Sequence, residues 1–93
     1  MTMDQLTEAV RGKVADGGIS DSVKFDCGDA GVIYVEGASV SNEDKDADCT
    51  ISISQDDLAD LLAGNLNPTT AFMTGKIKVT GDMGVAMKLG SIV

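Results

Sequence analysis

The feature that most constrains the fold is a two-residue alternation of apolar and polar side chains in two separate segments. In residues 22–27 and 49–53 every second side chain is apolar: Val23, Phe25 and Cys27, then Cys49, Ile51 and Ile53. Because successive side chains of a strand point to opposite faces of a sheet, this pattern predicts strands with one buried face. After the turn sequence GDAG, residues 32–37 predict the hairpin partner of the first strand, and residues 38–41 predict a further strand.

Helical patterns precede and interrupt these strands. Apolar residues at helical spacing from Met3 to Val14 predict an amphipathic helix, with Thr2 at the capping position. Ser54 and Asn67 are placed to cap two later helices. A strand over residues 76–80 and a final helix capped by Asp82 complete the series. This order predicts one α+β domain over residues 1–93, with helices on one face of the sheet.

Composition and charge exclude several classes of function. The 93 residues carry a formal net charge of −8 and include no histidine. We therefore expect neither binding to the phosphate backbone of nucleic acids nor catalysis by an imidazole group. The sequence has neither a signal-peptide pattern nor an apolar run of membrane-spanning length. We therefore expect a cytoplasmic protein that does not bind nucleic acid, and we interpret Cys27 and Cys49 as buried thiols.

The motifs that could carry catalysis or bind metal are incomplete. DKDAD at residues 44–48 resembles the start of a calcium loop, but Cys49 stands where that loop needs glycine and Gln55 where it needs glutamate. Neither cysteine has a histidine base, and Asp56 and Asp57 are explained as helix-start residues. We predict no catalytic group, no metal and no cofactor.

The last third of the chain differs from the rest in charge and composition. Residues 1–60 hold fourteen acids and four bases, whereas residues 61–93 hold one acid and three bases. Three of the five methionines also lie there, close to Phe72 in the sequence: Met73, Met83 and Met87. Methionine suits both ordinary core packing and a pocket that accepts variable apolar shapes, so both interpretations stay open. Lys76 and Lys78 fit either the solvated face of an edge strand or contact with an anion.

A family resemblance rests on two adjacent stretches. DCTISIS, followed after one residue by DDLADLLAGNLNPTTAFMTGKIKVTGDMGVAMKL, resembles the sterol carrier protein 2 (SCP-2) family over residues 48–89. Residues 1–47 match that family only in their pattern of helix and hairpin. The resemblance implies a five-stranded, mostly antiparallel sheet covered by helices. It also implies a hydrophobic tunnel that holds fatty acids, fatty acyl-CoA or sterols.

The resemblance also implies a set of binding residues. The apolar lining would consist of Ala71, Phe72, Met73, Ile77, Val79, Met83, Val85, Ala86, Met87 and Leu89. A carboxylate or phosphate head group at the tunnel mouth would meet one of three lysines: Lys76, Lys78 and Lys88.

Departures from the family shape the functional expectation. Many eukaryotic members are basic and continue into a lid and a peroxisomal tripeptide, whereas this acidic chain ends at Val93. We therefore expect at most weak membrane contact and a bacterial source. For such a source a fatty acid, acyl-CoA or an isoprenoid intermediate is expected as cargo in preference to a sterol. The leading hypothesis is a non-enzymatic carrier of long-chain lipid. The alternative is an accessory module that docks a protein partner, namely an enzyme of lipid or quinone metabolism.

Overall fold

The computed structural model describes residues 2–15, 21–82 and 84, which form three α-helices, five strands and one short 3-10 turn. The elements in chain order are α1 (Met3–Val14), β1 (Ser22–Asp26), the 3-10 turn (Gly28–Ala30), β2 (Val32–Glu36), β3 (Ser39–Ser41), β4 (Cys49–Ile53), α2 (Gln55–Leu62), α3 (Pro68–Met73) and β5 (Ile77–Gly81). The predicted strands and first three helices are confirmed. The last strand is displaced by one residue from the predicted range 76–80, and the predicted final helix lies outside the described residues apart from residue 84.

Each predicted N-cap makes the expected hydrogen bond. The Thr2 hydroxyl accepts the backbone N–H of Gln5 at 3.2 Å, and the Gln5 side chain accepts the backbone N–H of Thr2 at 2.9 Å. The Ser54 hydroxyl accepts the N–H of Asp57 at 3.1 Å. The Asn67 side chain accepts the N–H groups of residues 69 and 70 at 2.9 and 3.3 Å. These side chains satisfy backbone donors that have no partner within their helices.

The five strands form one mixed sheet in the order β3-β2-β1-β4-β5. The pairs β1–β2, β2–β3 and β4–β5 are antiparallel, and only β1–β4 among these neighbours is parallel. In the parallel pair Val23 lies opposite Cys49 and Phe25 opposite Ile51. Because the side-chain period is two, this register places the apolar residues of both strands on the same face. That face is the core face.

All three helices contribute to one hydrophobic core with the core face of the sheet. The helical members of this cluster are Leu6, Val10, Val14, Leu58, Leu61, Leu62 and Ala71. The strand members include Val23, Phe25, Ile33, Val35, Cys49, Ile51, Ile53 and Ile77. Since every helix packs into the same cluster, the helices cover one side of the sheet, as predicted. The opposite side, the outer face, carries the polar residues of each strand.

The loop over residues 42–48 crosses part of the outer face. The Lys24 ammonium lies 2.8 Å from a carboxylate oxygen of Asp44, and the Lys45 ammonium lies 5.4 Å from the centroid of the Tyr34 ring. Tyr34 is therefore buried although it belongs to the outer face, and three consecutive residues of β2 are buried. The alternation expected for a strand with one buried face fails here because the loop after β3 covers the second face.

Candidate functional site

Three of the predicted lining residues lie on the core face. Ala71 is fully buried where α3 meets the sheet, and Ile77 is buried at the start of β5. Val79 is half-buried and packs against the edge of the core cluster. The N–H of Lys76 donates to the carbonyl of Ala71 at 2.9 Å, which holds the end of α3 beside the start of β5. The structure thus brings these three apolar side chains to one side of the sheet.

Two other predicted lining residues lie at the surface. Phe72 is 48% exposed and Met73 is 80% exposed, and they are the exposed large hydrophobic residues found in the described part of the chain. Both follow Ala71 on α3, so the rotation of the helix turns them away from the core that Ala71 enters. Their predicted contact with a lipid chain stays a prediction.

The remaining apolar predictions fall outside the described residues. They are Met83, Val85, Ala86, Met87 and Leu89, together with the predicted head-group residue Lys88. The beginning of this segment is described: the Asp82 carboxylate accepts the N–H of Gly84 at 2.8 Å. That contact has the spacing of an N-cap residue, as the sequence predicts for Asp82.

Lys76 and Lys78 are exposed and line one open depression of about 330 Å³. Its other lining residues are Asp26, Cys27, Gly28, Ser52, Ile53, Ser54 and Gly75. Lys78 lies opposite Ser52 in the β4–β5 pair and alternates with Ile77 and Val79, so its side chain belongs to the outer face. The lysine predicted to meet a head group at a tunnel mouth therefore lies on the sheet side opposite the core.

A second depression of about 310 Å³ lies farther along the outer face, and no pattern in the sequence indicates it. It is lined by Tyr34, Glu36, Ser39, Ser41, Glu43 and Lys45. The Tyr34 hydroxyl donates to the Glu36 carboxylate at 2.9 Å, and this hydrogen bond raises the pKa of Tyr34. A hydrogen bond to Glu43 raises the pKa of Lys45. The charged groups of this depression are already paired with one another.

Both cysteines are free and buried, as the sequence predicts. Burial raises the pKa of the Cys27 thiol, with a further contribution from Asp26, and burial also raises the pKa of the Cys49 thiol. A raised pKa disfavours the thiolate that nucleophilic attack or metal binding requires. Within residues 2–15, 21–82 and 84, no three histidine, cysteine or acidic side chains lie close enough together to hold a metal ion.

A scan against family models identifies the family. The model of the SCP-2 sterol transfer family matches residues 2–93. The chain belongs to the SCP-2 sterol transfer family. The match to the SCP-2 family therefore extends beyond residues 48–89 and includes the N-terminal helix and hairpin. In the part of the SCP-2 chain that the structure describes, no helix has the length and apolar character needed to cross a membrane.

Individual relatives agree with this assignment. Sterol carrier protein 2 of Oryctolagus cuniculus is 51% identical over 57 residues, which cover 61% of the SCP-2 chain and 10% of the rabbit protein. The match thus spans about a tenth of the length of the rabbit and bovine sterol carrier proteins. The crystal structure of Sterol Carrier Protein 2 Like 2 from Aedes aegypti has a TM-score of 0.80 at 20% identity and covers 97% of this chain and 94% of that chain.

A second solved structure is closer in sequence than the Aedes protein. The solution structure of the sterol carrier protein domain 2 of Helicoverpa armigera is 35% identical, has a TM-score of 0.61, and covers 94% of this chain and 72% of that chain. These structures confirm the predicted α+β fold with a five-stranded, mostly antiparallel sheet and helices. The Aedes protein has also been solved in a palmitated form.

Some of the similar proteins have names that refer to an enzyme or to a biosynthetic role and not to a lipid carrier. Peroxisomal multifunctional enzyme A of Dictyostelium discoideum is 46% identical over 43 residues, which cover 10% of that protein. A structure titled UbiJ-SCP2 Ubiquinone synthesis protein has a TM-score of 0.62 at 19% identity. SCP-2 domains therefore occur both in carriers and as small parts of larger proteins.

Proposed function

We propose that this SCP-2 chain is a non-enzymatic domain that binds and transfers long-chain lipids in the cytoplasm. The observation that carries the proposal is the family match over residues 2–93. The chemistry of the described residues supports it, because the chain has no histidine and its two cysteines are buried thiols with raised pKa values. Free thiols also suit the reducing cytoplasm.

The lipid chain is proposed to lie between the core face of β5 and the segment that follows Asp82. β5 is an edge strand, and its core-face residues Ile77 and Val79 pack with Ala71 at that edge of the hydrophobic core. The described residues leave part of the Val79 side chain uncovered, so this side chain can contact a lipid. The predicted wall residues Met83, Val85, Ala86, Met87 and Leu89 follow directly in the chain and would complete a tunnel.

The cargo is proposed to be a fatty acid or fatty acyl-CoA. Burial of each methylene group contributes roughly 0.8 kcal/mol, so an apolar tunnel distinguishes lipids chiefly by chain length. The palmitated form of the Aedes relative supports an acyl chain as ligand. The accessory-module alternative is not favoured by the comparisons, since proteins named sterol carrier protein 2 match this chain at 47% to 51% identity.

The first test is binding by the full chain. Native mass spectrometry of freshly purified protein, followed by organic extraction, identifies retained lipid. Titration with a fluorescent long-chain acyl probe, displaced by palmitate, palmitoyl-CoA or a sterol, then ranks the ligand classes. We expect saturable probe binding that strengthens from medium-chain to long-chain competitors. Absence of both retained lipid and saturable binding would refute the carrier function.

A pair of adjacent substitutions locates the site. Val79→Asp places a charge on the core face of β5, whereas Thr80→Asp places the same charge on the exposed outer face. We expect the first variant to lower probe affinity by more than tenfold and the second to leave it unchanged. Circular dichroism and urea unfolding verify that both variants are folded. Equal effects of the two variants would place the ligand elsewhere.

A further inference from the structure

The first depression on the outer face, of about 330 Å³, combines two lysines with two serine hydroxyls. Lys76 and Lys78 line it together with Ser52 and Ser54. We propose that these four side chains bind the phosphate group of a phosphate monoester. Because Ser52 and Lys78 belong to the outer face, this phosphate site is distinct from the core face, where the lipid chain is proposed to bind.

The register of the sheet brings the four side chains together. Lys78 lies directly opposite Ser52 in the antiparallel pair β4–β5. Two residues along each chain, Lys76 and Ser54 line the same depression. Neighbouring strands lie roughly 4.8 Å apart, and two residues of extended chain span roughly 7 Å. The long side chains of both lysines can therefore reach one anion placed between the two serines.

Both lysines of the phosphate site lack an ion-pair partner within the described residues. The ion pairs found in that part of the chain involve other cations, namely Arg11, Lys24 and Lys45. Lys76 and Lys78 are exposed, so their ammonium groups can turn towards an anion without leaving a buried position. The site therefore offers two positive charges that the described residues do not neutralise by contact.

The two serine hydroxyls supply further donors. The Ser54 hydroxyl accepts the N–H of Asp57 at 3.1 Å, and its own hydrogen remains to donate to a ligand. The half-buried Ser52 hydroxyl makes no hydrogen bond to another described residue. Each hydroxyl can thus donate to an oxygen of a bound phosphate.

One carboxylate, that of Asp26, also lines the depression and opposes the binding of an anion. Asp26 lies opposite Ser52 in the parallel pair β1–β4, and its carboxylate accepts the N–H of Gly28 at 2.9 Å. The lining residues therefore carry two positive charges and one negative charge. More distant acids contribute less, because salt at about 0.1 M screens charges over roughly 10 Å.

A phosphate monoester matches these donors in both charge and shape. Near neutral pH it carries almost two negative charges and three strong acceptor oxygens. Two ammonium groups balance that charge, whereas a carboxylate would leave one lysine without a partner. No aromatic side chain lines the depression, so a nucleotide base would gain no stacking there. The site is consequently expected to recognise the phosphate and to discriminate little among the groups esterified to it.

The experiment is an amide NMR titration of the full chain with glycerol 3-phosphate at constant ionic strength. We expect saturable shifts at residues that line the depression, and much smaller shifts with acetate. Lys76→Met and Lys78→Met should each weaken binding roughly tenfold or more, because each removes a charge-assisted hydrogen bond. Lys13→Met, the same change at an exposed position of α1, is the control and should leave the affinity unchanged.

Asp26→Asn gives a test that a misfolded variant cannot imitate, because binding should become stronger. Asparagine keeps an oxygen for the N–H of Gly28 but removes the negative charge beside the site. We expect the affinity for glycerol 3-phosphate to rise roughly threefold. Asp4→Asn on α1, which packs on the other side of the sheet, is the matched control and should have no effect.

Two lipid ligands identify the source of the phosphate. Palmitoyl-CoA carries a phosphate monoester in its head group, whereas palmitate carries none. If Lys78→Met weakens the binding of palmitoyl-CoA but not that of palmitate, the phosphate belongs to a lipid head group. If glycerol 3-phosphate still binds when palmitoyl-CoA is present, the phosphate belongs to a separate soluble ligand.

Three outcomes would overturn the phosphate site: no saturable shift with glycerol 3-phosphate, equal shifts with acetate, or equal effects of the Lys13 and Lys78 variants. The site does not depend on the proposed lipid function, and the two fail separately. Binding of the fluorescent acyl probe without binding of glycerol 3-phosphate refutes the phosphate site alone. Binding of glycerol 3-phosphate without binding of the acyl probe refutes the carrier function alone.

Discussion

The carbonyl oxygen of Asp48 lies against the α-carbon of Gly81, so closely that a Cβ on Gly81 would be 2.5 Å from it. The same carbonyl accepts the N–H of Asp82 at 2.9 Å. The Asp48 carboxylate accepts the N–H of Ser22 at 3.1 Å, and the Asp48 N–H donates to the Ser22 hydroxyl at 2.9 Å. Asp48 therefore joins the starts of β1 and β4 to the end of β5, where the predicted tunnel wall begins.

Gly81→Ala should destabilise the protein strongly. Its φ of 103° is unfavourable for alanine and typically costs about 1–3 kcal/mol, and the contact with Asp48 adds to that cost. Gly12→Ala is the matched control, because a Cβ there meets nothing within 4 Å and the position lies inside α1. We expect the control to stabilise the helix by about 0.5–1 kcal/mol. Urea unfolding measures the stability of both variants. An unchanged free energy of unfolding in Gly81→Ala would contradict the close approach of the Asp48 carbonyl to Gly81.

Asn67→Ala should lower the free energy of unfolding by about 1 kcal/mol, because it removes the side-chain acceptor for two N–H groups at the start of α3. Asn67→Asp, which keeps an acceptor, should recover most of the loss. Asn65→Ala, at an exposed position just before the cap, is the control and should change the stability little. A similar loss for both alanine variants would show that the cap is not responsible.

The buried hydroxyl of Thr7 links α1 to the loop after β3. It donates to the carbonyl of Met3 at 2.7 Å and accepts from the Asn42 side-chain amide at 2.9 Å. Thr7→Val should cost about 1–3 kcal/mol, because it leaves hydrogen-bonding groups without this partner. A double-mutant cycle with Asn42→Ala should give an interaction energy above about 0.5 kcal/mol. Additive effects in urea unfolding would show that the two side chains are not coupled.

Both cysteines should react slowly in the native protein. Cys49 is fully buried, Cys27 is 9% exposed, and burial raises both pKa values above 9.0. We expect a thiol-reactive disulfide reagent to label both rapidly in urea, and to label Cys27 before Cys49 in the folded chain. Cys27→Ala assigns the two phases. Fast labelling of Cys49 under native conditions would contradict its burial.

The same shifts determine how stability depends on pH. Since each folded-state pKa lies above the ordinary value of 9.0, the folded state holds the thiol proton more tightly than the unfolded state. Their contribution to stability is complete below about pH 9 and is lost as pH rises through the folded-state values. Urea unfolding at several alkaline pH values should show this decline in the wild type and a smaller decline in Cys27→Ala.

The structure shows where some of the predicted lining residues lie, while their contact with lipid stays a prediction. Strand alternation put Ile77 and Val79 on one face, because it acts over a few residues, whereas Ala71 was predicted only through the family resemblance. The exposure of Phe72 and Met73 was not predicted, since a chain pattern does not show which neighbours cover a helix end. The depression that holds Lys76 and Lys78 needs residues from β1, β4 and β5, so no single segment reveals it.

The sequence by itself determined the local elements: the alternation in β1 and β4, the caps Thr2, Ser54 and Asn67, and the family motif. These depend on interactions between residues close together in the chain. Only the tertiary structure decided the parallel pairing of β1 with β4, the burial of Tyr34 beneath the loop over residues 42–48, and the junction of Asp48 with Gly81. The strand pairing and the junction join segments far apart in sequence, and the burial of Tyr34 depends on how the loop after β3 folds back over the sheet. In each case several arrangements satisfy the same local pattern, and packing of the whole core selects one.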